Sequence, residues 1–342
     1  PLPERLDVED STLITYADGT PAHLKLSHAD DRWRVGIALD EVDPHYIEAL
    51  ILLEDQRFWH HPGVDPIAIG RATLSNLTHG EVVSGASTIT MQLVRMLEPR
   101  PRTLTSKCIE ALRAMQLELR MSKAQILENY VRFAPHGRNI EGLDAASMAY
   151  FGHRATALSN AEIVTLLAVP QAPNARYPSA RNIARLERAR NQVARELLAA
   201  GALFVDEGLP SAQSQRQAYE ALLADPLPPE LLPFPREIPH LAQWLTHKHP
   251  TRRMHRTSID RTLQANLERL VIERRNDLRR DGIHNGAVVM VRHDTGEVVG
   301  LVGNTSFDEM HGSQLAAFDE PRSTGSLLKP VMMALAIDEG LA

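Results

Sequence analysis

Residues 54–65 read EDQRFWHHPGVD and directly follow the apolar run YIEALILL of residues 46–53. The apolar side chains of this run recur at helical spacing, and Glu54 lies on the same helix face as several of them. The ordinary alternative is a solvated acid at the end of an amphipathic helix. On the apolar face the carboxylate would instead be partly desolvated, which suits a general base in catalysis.

The composition describes a folded protein and argues against several classes of function. Of the 342 residues, 43% are hydrophobic and 23% are charged, and the formal net charge is −6. Nucleic-acid binding relies on an excess of clustered Lys and Arg, so no nucleic-acid partner is expected. The single cysteine, Cys108, cannot form an intrachain disulfide, and without a Cys/His cluster no zinc site is expected.

The first two predicted segments are a short lead-in and a helical domain. Residues 1–43 contain a β-hairpin, because TLITY and AHLKL flank the turn-forming residues 17–20. Residues 44–203 carry frequent helix signals, including capping boxes that begin at Ser122 and Ser159. This segment is predicted to be an all-α domain.

The remaining segments are a predicted linker and a second unit. Residues 204–256 are dense in proline, which interrupts regular elements and suits a connection between domains. Residues 257–342 begin with a predicted helix over 261–280 and continue with two β-rich runs around the turn at 294–296. The predicted fold is therefore mainly α, with a truncated α/β unit at the end.

A second stretch, VSGASTITMQLVRM at residues 83–96, places a glycine and several hydroxyls ahead of a helix. A Ser/Thr helix cap explains one hydroxyl. Several hydroxyls together with a glycine indicate a helix N-terminus that binds an anion or a sugar. The candidate binding residues of this stretch are Gly85, Ser87, Thr88, Thr90, Gln92 and Arg95.

A third stretch, residues 104–137, places Lys107 three residues before Glu110 on a predicted helix. An ordinary ion pair along one helix explains this spacing. The functional alternative is a cation and an acid held together at a site for a charged substrate.

Four ordered stretches, EDQRFWHHPGVD, GASTITMQL, KCIEA and SKAQILENY, resemble the motifs of the family 51 glycosyltransferases, the peptidoglycan polymerases of bacterial cell walls. The resemblance continues through AASMAYFG at 145–152 and AVPQAPNARYP at 168–178. TSIDRTLQ at 257–264 is similar to the opening of the transpeptidase domain of class A penicillin-binding proteins, and STGSLLKP at 323–330 supplies its SxxK motif. The resemblance spans nearly the whole chain.

The resemblance implies a lysozyme-like all-α glycosyltransferase domain followed by the start of a transpeptidase domain. The implied reaction joins disaccharide units of lipid II through β-1,4 bonds, with inversion and release of undecaprenyl diphosphate. Glu54 would deprotonate the attacking 4-hydroxyl, and Lys107 and Arg95 would hold the diphosphate. Glu110, which matches the second essential acid of the family, would orient the cations or the donor sugar.

Other positions either match or depart from the family motifs. Ser106 stands where an arginine is usual, which removes one cation, and Arg132 stands where an asparagine is usual. A divalent cation, Mg²⁺ or Mn²⁺, would assist departure of the diphosphate, and the sequence does not place its ligands. The remaining candidate substrate-binding residues are Asp55, Phe58, His61 and Glu128.

The SxxK motif implies a nucleophile in the second unit. Ser326 would attack a D-Ala carbonyl of a stem peptide or a β-lactam ring, and Lys329 would activate its hydroxyl from three residues further along a helix. No SxN or KTG motif follows in this chain. The transpeptidase part is therefore expected to be incomplete here.

The resemblance also implies partners and a location. The partners would be lipid II, the growing glycan strand, the membrane surface and, in the intact parent, β-lactams, with cell-wall synthesis proteins as further candidates. The location would be the cell envelope, at the periplasmic face of the cytoplasmic membrane, with the anchor outside this chain. Two alternatives stay open at this point: a lysozyme-like enzyme that cleaves glycan, and an inactive envelope scaffold.

Overall fold

The computed structural model describes residues 2–27, 29–71, 87–205, 211–308, 311–321 and 323–341. The chain divides into two compact units. The first unit consists of Pro1–Thr15, Gly19–Glu237 and Pro250–Arg256. The second unit consists of Tyr16–Asp18, Ile238–His249 and Thr257–Ala342.

The strands of the first unit are short and form two small sheets. Strand β1 pairs antiparallel with β2, as the predicted hairpin requires, and parallel with β5; β3 pairs parallel with β4. Opposite residues Leu13 and Leu24 are both buried, so this register sends apolar side chains into the core. The strands are β1 (Thr12–Thr15), β2 (Pro21–Lys25), β3 (Trp33–Arg34), β4 (Ile140–Glu141) and β5 (Met254–Arg256).

Helices make up most of the first unit, and the prediction of a mainly α fold is confirmed. They are α1 (Pro44–Glu54), α2 (Ile89–Leu97), α3 (Leu104–Glu118), α4 (Lys123–Phe133), α5 (Leu143–Phe151), α6 (Asn160–Ala168), α7 (Pro173–Arg176), α8 (Ile183–Ala200) and α9 (Ala212–Ala224). Two short 3-10 helices, Glu4–Asp7 and Phe58–His60, accompany them.

Local capping residues set where these helices begin. The predicted capping boxes at Ser122 and Ser159 are both present, at the starts of α4 and α6. Asp43 caps α1, and the side chains of Thr88 and Thr103 accept the hydrogen bonds that begin α2 and α3. Each cap satisfies a backbone N–H that the helix itself leaves without a partner.

Helix α5 lies at the centre of the core. Its residues from Leu143 to Tyr150 are all buried. Small side chains such as Ala145, Ala146 and Ser147 keep the diameter of the helix small, so neighbouring helices can pack closely around it. Helix α6 packs against both α5 and α1, and α4 packs against both α5 and α2, so the core connects directly to the two helices that adjoin the first two sequence motifs.

The proline-rich segment 204–256 contains regular elements in both units. Helix α9 and strand β5 belong to the first unit, and helix α10 (Pro239–Lys248) belongs to the second. Pro239 occupies the first turn of α10, where a missing N–H leaves no hydrogen bond unmade. Proline density therefore marked helix boundaries here rather than an absence of helices.

The second unit has the predicted α/β order. Helix α11 (Arg261–Arg280) precedes strands β6 (Val288–Val291) and β7 (Val298–Val302), which pair antiparallel. The Gln264 side chain fixes α11 to β7, because it donates to and accepts from the backbone of Leu301 at 3.0 and 2.8 Å. The 3-10 helix Gly325–Leu328 and helix α12 (Lys329–Asp338) follow. None of the described helices is both long and apolar enough to cross a membrane.

Candidate active site

A cleft of about 1010 Å³ in the first unit collects residues that are distant in the sequence. It is lined by the end of α1, the beginning and middle of α2, the segment before α7 and part of the N-terminal segment. The predicted site residues that line it are Glu54, Asp55, Ser87, Thr88, Gln92 and Arg95. The cleft therefore brings the first two motifs together.

Glu54 is the last residue of α1 and is half-buried in the cleft wall. Its Oε2 accepts a hydrogen bond from Gln92 Nε2 at 2.8 Å, and its Oε1 accepts one from Gln171 Nε2 at 3.3 Å. The Tyr130 hydroxyl donates to Gln92 Oε1 at 3.2 Å. Among the described residues, neutral amides and no cation hold this carboxylate.

Two buried tyrosines lie close enough to respond to the charge of Glu54. Burial raises the pKa of Tyr130 and of Tyr46 above the ordinary phenol value, and the negative charge of Glu54 raises both further. Both phenols therefore stay neutral. The Tyr130 hydroxyl remains a hydrogen-bond donor that fixes the orientation of the Gln92 amide.

Two other carboxylates along the cleft are held by a histidine, an arginine and backbone amides. Asp55 accepts from His61 Nε2 at 2.9 Å and from the backbone N–H of Ile89 at 3.0 Å. Asp65 accepts from backbone N–H groups and lies 3.3 Å from Arg57. Burial raises the pKa of Asp65, but these backbone hydrogen bonds and the Arg57 charge outweigh burial and hold it below its usual range.

The last two carboxylates of the cleft are also unlike Glu54. Glu141 lies 2.7 Å from Arg34 and 2.5 Å from Arg5, so it is occupied by cations. Glu196 is exposed to solvent on α8. Glu54 is thus the half-buried cleft carboxylate without a positive partner among the described residues, which leaves its lone pairs available to a substrate proton.

A fixed cation lies in the same cleft. Arg95 of α2 forms two hydrogen bonds with Glu110 of α3, Nε to Oε1 at 3.0 Å and Nη2 to Oε2 at 2.7 Å. Glu110 is 3% exposed, and the Arg95 side chain is 37% exposed. The hydrogen bonds that Arg95 donates to Glu110 raise the pKa of Arg95 further above its ordinary value. The bidentate geometry fixes the plane of the guanidinium and leaves other N–H groups for an anion.

The reading of Lys107 and Glu110 as an ordinary ion pair along α3 is wrong. Glu110 binds Arg95 on a neighbouring helix, and Lys107 is exposed on α3 and outside the residues that line the cleft. A bidentate guanidinium pair is stronger than an exposed pair at i,i+3 spacing, which contributes only about 0.2–0.5 kcal/mol.

The loop after Glu54 is held by interactions within the first unit. The backbone N–H of Gly63 donates to His61 Nδ1 at 3.2 Å, so His61 Nε2 carries the hydrogen that Asp55 accepts. The Thr88 hydroxyl donates to the carbonyl oxygen of Gly63 at 2.6 Å while its oxygen caps α2. Asp55, His61 and Thr88 therefore fix the first motif against the start of α2.

Gly63 is expected to tolerate no side chain. Its φ is +91°, and a Cβ there would lie 2.7 Å from the carbonyl oxygen of Ala114 on α3. Gly63→Ala combines left-handed strain with a backbone clash, and we expect it to lower the free energy of unfolding by about 3 kcal/mol. Urea unfolding measures this loss.

Gly19→Ala is the matched control for Gly63→Ala. Gly19 also has a positive φ, +84°, but no heavy atom lies within 4 Å of its added Cβ. Strain alone is expected to destabilise this variant by about 1 kcal/mol. Equal losses in the two variants would contradict the close packing of the loop on α3.

The comparison with known families agrees with this arrangement of motifs. Residues 22–198, just over half of the chain, match the family model described as Transglycosylase. The chain belongs to the transglycosylase family. The matched range contains Glu54, Gln92, Arg95, Glu110 and Gln171, which meet at or behind the cleft.

Curated relatives of this transglycosylase chain are penicillin-binding proteins. It is 35% identical over 347 residues to penicillin-binding protein 1C of Escherichia coli, an alignment that covers 100% of this chain and 42% of the relative. It is 39% identical over 169 residues to penicillin-binding protein 1A of Aquifex aeolicus, covering 49% of this chain and 23% of the relative. The predicted resemblance to penicillin-binding proteins is confirmed, and the chain spans less than half the length of these relatives.

A solved structure, penicillin-binding protein 1A from Haemophilus influenzae, also aligns with the chain. The alignment covers 90% of this chain and 50% of the other, with 13% sequence identity and a TM-score of 0.35. A score of that size is below the range in which superposition by itself establishes a shared fold.

Several predicted site residues of the transglycosylase domain lie away from the cleft lining. Phe58 is fully buried in the core, and Thr90 is buried with its hydroxyl 2.7 Å from Glu118 Oε1. Glu128 is exposed on α4 and does not line the cleft. Gly85 lies outside the described residues. The roles of these residues as direct substrate ligands stay predictions.

The two departures from the family motifs have local structural roles. Ser106 is buried, and its hydroxyl lies 2.9 Å from that of Thr103, the residue that caps α3. Arg132 donates to both oxygens of Asp10 and to the carbonyl oxygens of Leu6 and Val8. Arg132 therefore fastens the N-terminal segment to α4.

Ser326 and Lys329 lie at consecutive elements of the second unit. Ser326 is in the 3-10 helix Gly325–Leu328, and Lys329 begins α12. Both residues are exposed, and no hydrogen bond joins their side chains in the described structure. Their predicted role in transpeptidation stays a prediction.

Two cleft residues with a proposed role, Gln171 and Arg5, were not among the predicted site residues. Gln171, which donates to Glu54, lies inside the stretch AVPQAPNARYP that carried the family resemblance, so that stretch was its signal. Arg5 lies before the matched range, and the sequence gives no local sign that it lines the cleft. Within the described residues, no group of three or more His, Cys, Asp or Glu side chains could hold a metal.

Proposed function

We propose that the cleft is the active site of a peptidoglycan glycosyltransferase. It would join disaccharide units of lipid II into β-1,4-linked glycan strands and release undecaprenyl diphosphate. Membership of the transglycosylase family supports this class of reaction. The observation that carries the proposal is Glu54, a half-buried carboxylate held by two neutral amides in a cleft that also contains the fixed cation Arg95.

Glu54 acts as the general base. Its carboxylate takes the proton from the 4-hydroxyl of the acceptor sugar as that oxygen bonds to the anomeric carbon of the donor. The bond from this carbon to the diphosphate oxygen breaks, and the electron pair leaves with the diphosphate. Attack from the face opposite the leaving group converts an α-linked donor into a β-1,4 linkage.

The leaving group needs positive charge more than it needs a proton. A diphosphate departs as a stable anion, so fixed cations and hydrogen-bond donors stabilise the charge that develops on it. Arg95, held in place by Glu110, supplies one such cation. We propose Lys107, one turn before Glu110 on α3, as a second cation for the diphosphate, although its exposed side chain does not line the cleft.

Gln92 and Gln171 set the direction of the Glu54 carboxylate. Their amide N–H groups occupy one lone pair on each oxygen, which leaves the remaining lone pairs for the substrate hydroxyl. Neutral donors do not compete with the proton that the base must accept. A cation in their place would stabilise the carboxylate and weaken it as a base.

Incubation of the full chain with lipid II tests the reaction. We expect long glycan strands, resolved by size on a gel, together with undecaprenyl diphosphate in equal amount to the bonds formed. A lysozyme-like enzyme would instead shorten preformed strands, because it transfers glycan to water. An inactive scaffold would leave both substrates unchanged, and either result would contradict the proposal.

We further propose that the whole protein is bifunctional and acts in the cell envelope. The relatives named as penicillin-binding proteins support a transpeptidase in the complete chain, with Ser326 as nucleophile and Lys329 as its activating base. Lipid II carries a long lipid tail, so the reaction belongs at the membrane surface, on the periplasmic face. β-lactams would acylate Ser326 in the complete protein.

A further inference from the structure

Three guanidinium groups surround one aromatic ring beside the cleft. The Cζ atoms of Arg5, Arg34 and Arg132 lie 5.5, 5.0 and 4.8 Å from the centroid of Phe133. The ring belongs to the last residue of α4 and also lines the cleft. Cations over an aromatic face are individually favourable, but three of them at one ring repel one another unless carboxylates separate them.

The carboxylates of this cluster leave one positive charge in excess. Four guanidiniums and three carboxylates contact one another here. The guanidiniums are those of Arg5, Arg32, Arg34 and Arg132, and the carboxylates are those of Asp10, Asp30 and Glu141. We call this set the N-terminal arginine cluster.

Glu141 is the carboxylate that the cluster shares most widely. It accepts from Arg34 Nε and Nη2 at 3.1 and 2.7 Å and from Arg5 Nη2 at 2.5 Å, and Arg32 Nε lies 3.8 Å away. One carboxylate neutralises one guanidinium. The excess charge of the cluster is therefore distributed among the arginines around Glu141.

Of these arginines, Arg5 is the one that faces the cleft. Arg34 is fully buried and bonded to Glu141 and Asp30, whereas the Arg5 side chain is 25% exposed and lines the cleft with Glu141. Within the described residues, Arg5 uses two of its five N–H groups, one on Glu141 and one on the carbonyl oxygen of Met96. The remaining N–H groups are available to an anion.

Arg5 and Arg95 are held in similar ways at neighbouring points of the cleft. The carbonyl that anchors Arg5 belongs to Met96, the residue after Arg95 on α2. Each guanidinium is paired with a buried carboxylate, Glu141 for Arg5 and Glu110 for Arg95. Both groups are therefore oriented before a substrate arrives, which reduces the entropy lost on binding.

We propose that Arg5 is a second guanidinium that binds the diphosphate of the lipid-linked donor, so that the N-terminal segment completes the active site. The inference rests on the proposed glycosyltransferase function and names the group that binds its leaving group. A diphosphate presents two anionic phosphoryl groups, and two fixed guanidiniums match them.

The test compares Arg5→Gln with Arg5→Lys and Arg32→Gln in the full chain. Arg32 contacts the same Glu141 but does not line the cleft, so it is the matched control. For Arg5→Gln we expect kcat/KM for lipid II to fall at least about tenfold, through a higher KM and a lower kcat, since a charge-assisted contact to the bound diphosphate and to the charge developing on it is lost. Arg5→Lys should recover part of the loss, and Arg32→Gln should match the unaltered chain.

Farnesyl diphosphate and farnesyl monophosphate serve as soluble probes of the same contact. We expect Arg5→Gln to weaken equilibrium binding of the diphosphate about tenfold and of the monophosphate much less. Equal binding of the diphosphate by Arg5→Gln and the unaltered chain would overturn the proposal, as would equal weakening of both probes. A lowered melting temperature with unchanged diphosphate binding would assign Arg5 a purely structural role and also overturn it.

The binding and turnover measurements distinguish failure of the proposed function from failure of the proposed role of Arg5. If the unaltered chain does not polymerise lipid II, the proposed function fails, but the binding comparison with farnesyl diphosphate still decides the role of Arg5. If the unaltered chain polymerises lipid II and Arg5→Gln retains the same kcat/KM, only the further inference fails.

Discussion

Glu54→Gln is expected to lower kcat for glycan polymerisation by about 10³-fold, because a positioned general base contributes about 10² to 10⁴ to such a rate. Glutamine has the same shape and can still accept a hydrogen bond from Gln92, so the cleft should keep its geometry. The amide cannot take the proton of the acceptor hydroxyl. Lipid II turnover under saturating substrate measures kcat, and thermal unfolding checks that the variant is folded.

Glu48→Gln is the matched control for this experiment. Glu48 is on the same helix, is exposed and does not line the cleft, so its removal changes the charge of α1 without changing the proposed base. We expect the control to polymerise lipid II at the unaltered rate. A Glu54→Gln variant as active as the control would show that another group takes the proton.

The position of Glu54 could be predicted because its signal is local. Apolar residues at helical spacing and an acid on the same face lie within a dozen residues, and the capping boxes at Ser122 and Ser159 each depend on residues three apart. The predicted helix over 261–280 agrees with α11 for the same reason, since Asp260 caps it locally. Interactions between sequence neighbours are visible in a single sequence.

The electrostatic partners of the site could not be predicted in the same way. Arg95 and Glu110 are 15 residues apart on different helices, and Arg5 and Glu141 are 136 residues apart. Spacing along one helix suggested Lys107 as the partner of Glu110, but the packing of α2 against α3 brings a stronger partner. A pair formed by tertiary packing leaves no periodic pattern in the sequence, so the fold had to be known first.

Glu110→Gln is expected to lower kcat/KM for lipid II by about 10²-fold through its effect on Arg95, because a preorganised cation loses much of its value when it can reorient. The substitution removes one of the two hydrogen bonds and the charge that hold the Arg95 guanidinium. Arg95 is partly exposed, so water screens the pair and the loss of unfolding free energy should be about 1 kcal/mol or less. Steady-state kinetics and urea unfolding measure the two effects separately.

Glu98→Gln distinguishes this positioning role from a general contribution of helix packing. Glu98 follows α2 and accepts from Arg113 of α3, so it forms a second ion pair between the same two segments, one turn further along. Neither partner lines the cleft. We expect Glu98→Gln to be destabilised at least as much as Glu110→Gln and to keep its activity. Parallel losses of activity in the two variants would mean that Glu110 acts only by joining α2 to α3, and the assignment of Arg95 as an oriented phosphate ligand would then be wrong.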